Sequence, residues 1–205
     1  MPLEEDTEET KRVVRAVYTA STITVYQAYP KEIAQAAVRA GTFVPPFKME
    51  RMTWIKPSFL WMMYRSGWTT KPGQEHVLSI ELTRQGFEWA LERASLSHFD
   101  SAVHQDKESW RKELSGSPVR IQWDPDRSVS LEPLSRRAIQ VGLSGEAVQR
   151  YVHDWIVKIT DITELVHDIH GDVSRGRLAE AVQALPAERE FPLREDIRKR
   201  IGADS

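Results

Sequence analysis

The chain has 205 residues, 40% of them apolar, which suits one domain with its own core and excludes an intrinsically disordered chain. Its formal net charge of -2 gives no global attraction to nucleic acid or to an anionic membrane, so a polyanionic partner needs a local basic patch. There is no cysteine, which excludes disulfides, iron–sulfur clusters and thiolate catalysis.

Residues 1–11 are acidic and read as a flexible start. Val13 to Tyr29 is rich in Val, Ile, Thr and Tyr and predicts two short strands with a turn at "YTAS". A helix is expected from Pro30, which suits a first turn, to Gly41, which suits a stop. Pro45 and Pro46 make the next stretch a loop, and "MTWI" predicts a short strand. A helix follows between Pro57 and Gly67, then a strand from His76 to Leu82. Thr83 is placed to cap an amphipathic helix with Phe87, Ala90, Leu91 and Ala94 on its buried stripe. Residues 97–118 carry no clear pattern, whereas "VRIQWDPD" and "RRAIQVGL" predict strands. "SGEAVQRYVHDWIVKITDITELVHDIHG" reads as helix in two pieces parted near Thr160. Residues 172–205 are expected to form a charged peripheral tail with some helix, leaving 12–171 as the domain. Short strands and helices mix throughout. This predicts an α+β fold, a single compact domain with a curled mixed or antiparallel sheet packed by helices.

The stretch "RMTWIKPSFLWMMYRSGW" holds three Trp, two more aromatics and four Met or Leu between basic residues. A helix apolar nearly all round needs cover on several sides, so it is either a core helix or the wall of a pocket. Between Gly41 and Glu75, five Lys or Arg face two Glu, a local balance of +3. Aromatic rings beside guanidinium groups suit a nucleotide, with rings for the base and arginines for phosphate oxygens. Trp54, Trp61 and Tyr64 are the candidate rings, and Arg51 and Arg65 the candidate phosphate partners. Tyr26 and Gln27, on a strand that runs into a helix start, are candidates beside them, and Ser58 and Tyr64 lie in the following helical segment. Glu75, at the mouth of a strand, is placed to orient a sugar hydroxyl or to stabilise developing positive charge. Arg137 and Gln140 flank the later strand. His167 and His170 lack a third ligand at a defined spacing, so no metal is expected. No apolar run is long enough to span a membrane and no leader region is apparent, so a cytoplasmic protein is expected.

The segments "RAVYTASTITVYQAY", "RMTWIKPSFLWMMYRSGW", "KPGQEHVLSIEL", "VRIQWDPD" and "RRAIQVGL" resemble the DUF4291 family of uncharacterised proteins over roughly residues 12–170. A fainter likeness, strand "VYQAY", helix "EIAQAAVRAG" and an aromatic segment, is similar to the opening of ADP-ribosyltransferase-like folds. That likeness implies NAD as ligand, with Tyr26 or Gln27 in the opening position, Ser58 and Tyr64 in the middle, and a late carboxylate whose place Gln140 takes. Three functions therefore stand as expectations. They are a nucleotide-binding protein, an NAD-using transferase among them, with Glu75 and Tyr26 as catalytic groups; an RNA or single-stranded DNA module; and a non-catalytic interaction domain.

Overall fold

A computed structural model of the chain describes residues 11–204, so the acidic start, residues 1–10, lies outside the described residues. The elements in chain order are β1 (Arg15–Ala16), β2 (Thr22–Tyr29), α1 (Lys31–Ala40), β3 (Thr53–Ile55), α2 (Phe59–Ser66) and β4 (His76–Thr83). Next come α3 (Arg84–Glu92), β5 (Ala94–Leu96), α4 (Lys107–Gly116), β6 (Val119–Arg127), β7 (Pro133–Leu143) and α5 (Glu146–Arg150). A wide π turn over Tyr151–Trp155 leads into β8 (Ile156–Asp161), α6 (Thr163–Ser174), α7 (Leu178–Ala184), β9 (Arg189–Glu190) and α8 (Glu195–Ile201).

The punctuation of the sequence sets most of these bounds. Pro30 precedes α1, and Gly41 ends it with φ +70°, a left-handed conformation that suits a residue without Cβ. Ser58 caps α2 by accepting from the Trp61 N–H at 3.2 Å, and Thr83 caps α3 from the Gly86 N–H. Two elements carry little signal. In α4 no residue is buried, so there is no apolar stripe to read; only the Asp106 cap, which accepts from the Ser109 N–H at 2.7 Å, marks its start. The strand β8 lies within a stretch whose sequence predicts helix. It pairs antiparallel with β4 and buries only Ile159, so it lacks a strong strand alternation.

The strands do not form the single curled sheet expected from the sequence. They form separate sheets, none closed on itself: β1-β9, β2-β4-β8 and β3-β7-β6-β5. The second and third meet through one antiparallel exchange, Tyr26 N–H to Lys56 O at 2.7 Å and Lys56 N–H to Tyr26 O at 3.3 Å. The ladder does not run on, because the next N–H on that edge of β2, that of Thr24, is taken by the Val17 carbonyl at 2.9 Å. On the other side of the exchange, the Gln27 side-chain amide donates to the Trp54 carbonyl, at 3.2 Å. A side chain thus fills the place of a backbone rung, and the sheets part.

The β2-β4-β8 sheet has a core on each face. Ile23, Val25, Leu78, Ile80 and Leu82 join the larger core with Phe87, Leu91, Val141 and Tyr151. On the opposite face, Tyr26 and Val77 pack with Phe59, Met62 and Met63 of α2 and with Val166 and Ile169 of α6. The charged last segment is built into this frame. β9 pairs with β1, and Phe191, Ile197 and Ile201 lie in the larger core. Glu188 accepts from the Phe59 N–H at 2.6 Å, holding the first turn of α2 from 129 residues away.

Two predictions follow from this packing. A Cβ on Gly86 would lie 2.3 Å from Trp155 Cγ, so Gly86→Ala is expected to cost roughly 2–3 kcal/mol or more in chemical denaturation. Burial pushes the Glu188 carboxyl up to about 7; the Phe59 N–H opposes this, and Asp126 adds to it. An acid whose folded pKa is raised holds its proton while the unfolded chain has lost it, so the folded state loses stability between about pH 4.5 and 7. Glu188→Gln removes that loss. Its stability relative to wild type is expected to rise across this window by roughly 1–2 kcal/mol and to stay level above it, read by denaturant midpoints at each pH.

Candidate functional site

One face of the β3-β7-β6-β5 sheet and the exposed side of α2 enclose a cleft of about 510 Å³. Strand register builds its floor. Gln122 pairs with Gln140, Trp54 with Gly142, and Asp124 shares the parity of Gln122, so these side chains leave the sheet on the same side. The Trp54 indole lies across Gly142, where a Cβ would come within 3.0 Å of its ring atoms. Helical spacing builds the wall. Trp61, Tyr64 and Arg65 are three and four residues apart and project together, while Phe59, Met62 and Met63 turn into the smaller core. Lys56, Pro125 and Arg127 complete the lining.

Polar contacts fix the floor. Asp124 accepts from the Gln140 side-chain amide at 2.6 Å and from that of Gln122 at 3.3 Å. On the wall, Trp61 and Tyr64 stack with centroids 5.1 Å apart, and the Arg127 guanidinium lies 3.6 Å from the centre of the Tyr64 ring. Those two rings are therefore engaged with each other and with Arg127. Trp54, half-buried and stacked on no ring among the described residues, is the aromatic surface left for a ligand. Arg65 makes no hydrogen bond or ion pair among the described residues and is exposed. Two buried donors of lining residues, Trp61 Nε1 and Arg127 Nε, have no acceptor among the described residues.

Lys56 is the unusual member. It is 8% exposed, its amine donates to the Trp54 carbonyl at 3.2 Å, and no carboxylate forms an ion pair with it among the described residues. Burial, reinforced by the Arg65 charge and opposed by Asp124, pulls its ammonium down to about 7 from the ordinary 10.5. The amine is therefore about half unprotonated at neutral pH.

Of the residues singled out from the sequence, Trp54, Trp61, Tyr64, Arg65 and Gln140 line this cleft. The others lie elsewhere. Tyr26 is 2% exposed with its ring edge-on to Phe59, and burial followed by the Glu188 charge raises its hydroxyl well above the ordinary range. Gln27 is buried and spends its amide on Thr53, Tyr29, the Trp54 carbonyl and the Tyr151 hydroxyl. Ser58 caps α2 and donates to Asp126 at 3.0 Å. Arg51 sits exposed in the loop before β3, and Arg137 borders a different hollow beside Arg12. Glu75 is exposed in a turn, accepting from the Gly73 N–H at 2.8 Å. His167 hydrogen-bonds Thr69 and His170 stacks on Trp68, so both are used structurally. Lys56, Gln122, Asp124, Pro125 and Arg127 are the lining residues that sequence reasoning passed over as site members. The available signal was a lysine set inside the apolar run "TWIKPSFLW", at strand parity with Trp54.

The hollow beside Arg12 is larger, about 880 Å³, and several of its polar groups are already matched. Arg12 pairs with Asp100 at 2.6 Å, and Trp123 donates to the Ile201 carbonyl at 2.7 Å. In the smaller cleft Lys56, Arg65 and Arg127 form no ion pair among the described residues.

Residues 13–191 match the model of a family described as a domain of unknown function, DUF4291. The chain belongs to that family. No curated protein matches it. The DUF4291 match runs past residue 171 as far as Phe191, so it takes in β9 and the Glu188 contact with α2 as well as every cleft residue. Among the described residues of this DUF4291 protein, no helix is long and apolar enough to cross a membrane, and no group of three or more His, Cys, Asp or Glu is placed to hold a metal ion.

A lysine whose folded pKa is depressed costs stability in full below that pKa, where its charged form is buried, and the cost is relieved as pH rises from about 7 to 10.5. Lys56→Met is expected to stabilise the protein by roughly 2–4 kcal/mol at pH 6–7. The gain should shrink steadily toward pH 10, as followed by denaturant titration of both proteins at matched pH.

Proposed function

We propose that this protein binds a nucleotide, or another planar phosphorylated ligand, in the cleft between α2 and the β3-β7-β6-β5 sheet. The observation that carries the reading is the pairing of a half-buried indole, Trp54, with cations that form no ion pair among the described residues, Arg65 and Arg127. Asp124 is the cleft's single carboxylate, and both its oxygens already accept from glutamine amides. The net field inside is positive and attracts an anion.

The parts suit such a ligand. The base or other flat ring stacks on Trp54. Phosphate oxygens meet the Arg65 guanidinium, which forks onto them without losing another partner. The buried donors Trp61 Nε1 and Arg127 Nε gain an acceptor they otherwise lack. Gln122 and Gln140 supply amide edges on the floor for polar atoms of the ring or sugar. The volume of about 510 Å³ lies within the range of small-molecule sites. NAD falls in the same ligand class through its adenine, pyrophosphate and nicotinamide. Tyr26 and Glu75, expected from the sequence to act on it, do not line the cleft.

Calorimetry with AMP, ADP, ATP and NAD against adenosine tests the reading. Phosphorylated ligands are expected to bind, with adenosine weaker by at least about ten-fold. Arg65→Ala and Trp54→Ala should each weaken the best ligand by roughly 5–50-fold while the fold, followed by circular dichroism, is kept. Absence of binding by purine and pyrimidine nucleotides at millimolar concentration overturns it.

A further inference from the structure

This inference rests on the cleft being a site for a phosphorylated ligand, and it names what the ligand meets there. We propose that Lys56 is a covalent nucleophile whose amine forms an imine with a carbonyl carbon of a phosphorylated ligand held against Trp54 and Arg65.

The placement of the amine argues for it. Lys56 is held on both sides of its backbone by the exchange with Tyr26, so the start of its side chain is fixed where the two sheets meet. The side chain runs under cover, 8% exposed, and reaches the cleft with its amine donating to the Trp54 carbonyl at 3.2 Å. A lysine that covered needs an ion pair to be a stabilising element, and none is made among the described residues. Methionine would fill the same space without the desolvation cost. The charged groups facing the amine are Arg65, which disfavours its protonation, and Asp124, which favours it. Burial together with Arg65 outweighs Asp124 and leaves a sizeable fraction of the amine with a free lone pair at neutral pH. Desolvation beside a second cation is the general means by which proteins activate a lysine toward carbonyl groups.

The step balances with the amine, the carbonyl compound and water alone. The Nζ lone pair adds to the carbonyl carbon, and the π pair moves to oxygen, which takes up a proton as nitrogen gives one up. The carbinolamine hydroxyl takes up the remaining N–H proton, relayed through water, and leaves as water while the nitrogen electrons form the C=N bond. The substrate class is a phosphorylated aldehyde or ketone with a flat portion. Its phosphate is anchored by the same guanidinium that disfavours protonation of Lys56.

Pyridoxal 5'-phosphate is the probe, being planar, phosphorylated and an aldehyde. The full chain is incubated with it at pH 7, reduced with borohydride and mapped by peptide mass spectrometry. Lys56 is expected to label roughly 10–100-fold faster than the exposed lysines Lys31 and Lys112, because desolvation beside a second cation activates it. Its rate should level off above about pH 7.5. Unphosphorylated pyridoxal should label Lys56 at least about ten-fold more slowly, and Arg65→Ala should remove that difference. Lys56→Arg should lose the adduct, with the fold followed by circular dichroism. Labelling of Lys56 no faster than of Lys31 in the wild-type protein overturns the proposal, whatever the variants do. If ADP binds and Lys56 stays unlabelled, the covalent step fails and the ligand site stands. If neither occurs, both fall.

Discussion

A single backbone exchange, between Tyr26 and Lys56, sets the relation of the two larger sheets and through it the shape of the cleft. Around it the polar groups form a closed network. Gln27 donates to Thr53, Tyr29 and the Trp54 carbonyl and accepts from the Tyr151 hydroxyl at 2.6 Å. Each of these groups is wholly or partly buried, so a missing partner costs more than the bond itself contributes. The same Trp54 carbonyl accepts from Lys56, so the network that joins the sheets also aims the amine. The sheets cannot shift relative to each other without moving Trp54 and Lys56 in the cleft.

Two titratable groups on either side of this junction are held away from their preferred charge. Lys56 is desolvated over the cleft, and Glu188 is desolvated at the N-terminal end of α2. Neither is the choice that maximises stability, since an apolar residue or an amide would fill either place at lower cost. Their costs also run in opposite directions with pH: Glu188 weighs on the fold as pH rises toward neutrality, Lys56 as it falls from alkaline values. Glu188 does structural work, anchoring the α2 backbone. The Lys56 amine, by contrast, holds one carbonyl and no carboxylate among the described residues.

The secondary structure was largely legible because its punctuation is chemical. Ser58 and Thr83 cap helices, and Gly41 and Gly67 end them with left-handed backbones, as their positions in the sequence imply. The stretch from Ile156 to Asp161 defeated the reading because an edge strand with one buried residue shows neither a strand alternation nor a helical stripe. The number of sheets was not legible, since the parting depends on a side chain, Gln27, taking a backbone acceptor from a segment 27 residues away. The site was legible in part. Helical spacing alone brings Trp61, Tyr64 and Arg65 together, and strand parity joins Gln140 to Trp54. Lys56 counted in the local charge balance but was not distinguished from its neighbours, because sequence carries no direct record of burial. The stacking of Arg127 on Tyr64, across 63 positions, is equally a product of the tertiary fold.

The contact between Glu188 and the first turn of α2 also sets an order of events during synthesis. The helix that walls the cleft is complete in the nascent polypeptide once residue 67 has left the ribosome, yet its anchoring carboxylate is translated 129 residues after Phe59. Until then the apolar side of α2, with Phe59, Met62 and Met63, also lacks Val166, Ile169 and Ala181, its later partners in the smaller core. Such a long interval before native burial leaves a sticky surface open on the growing chain, the situation in which chaperones bind.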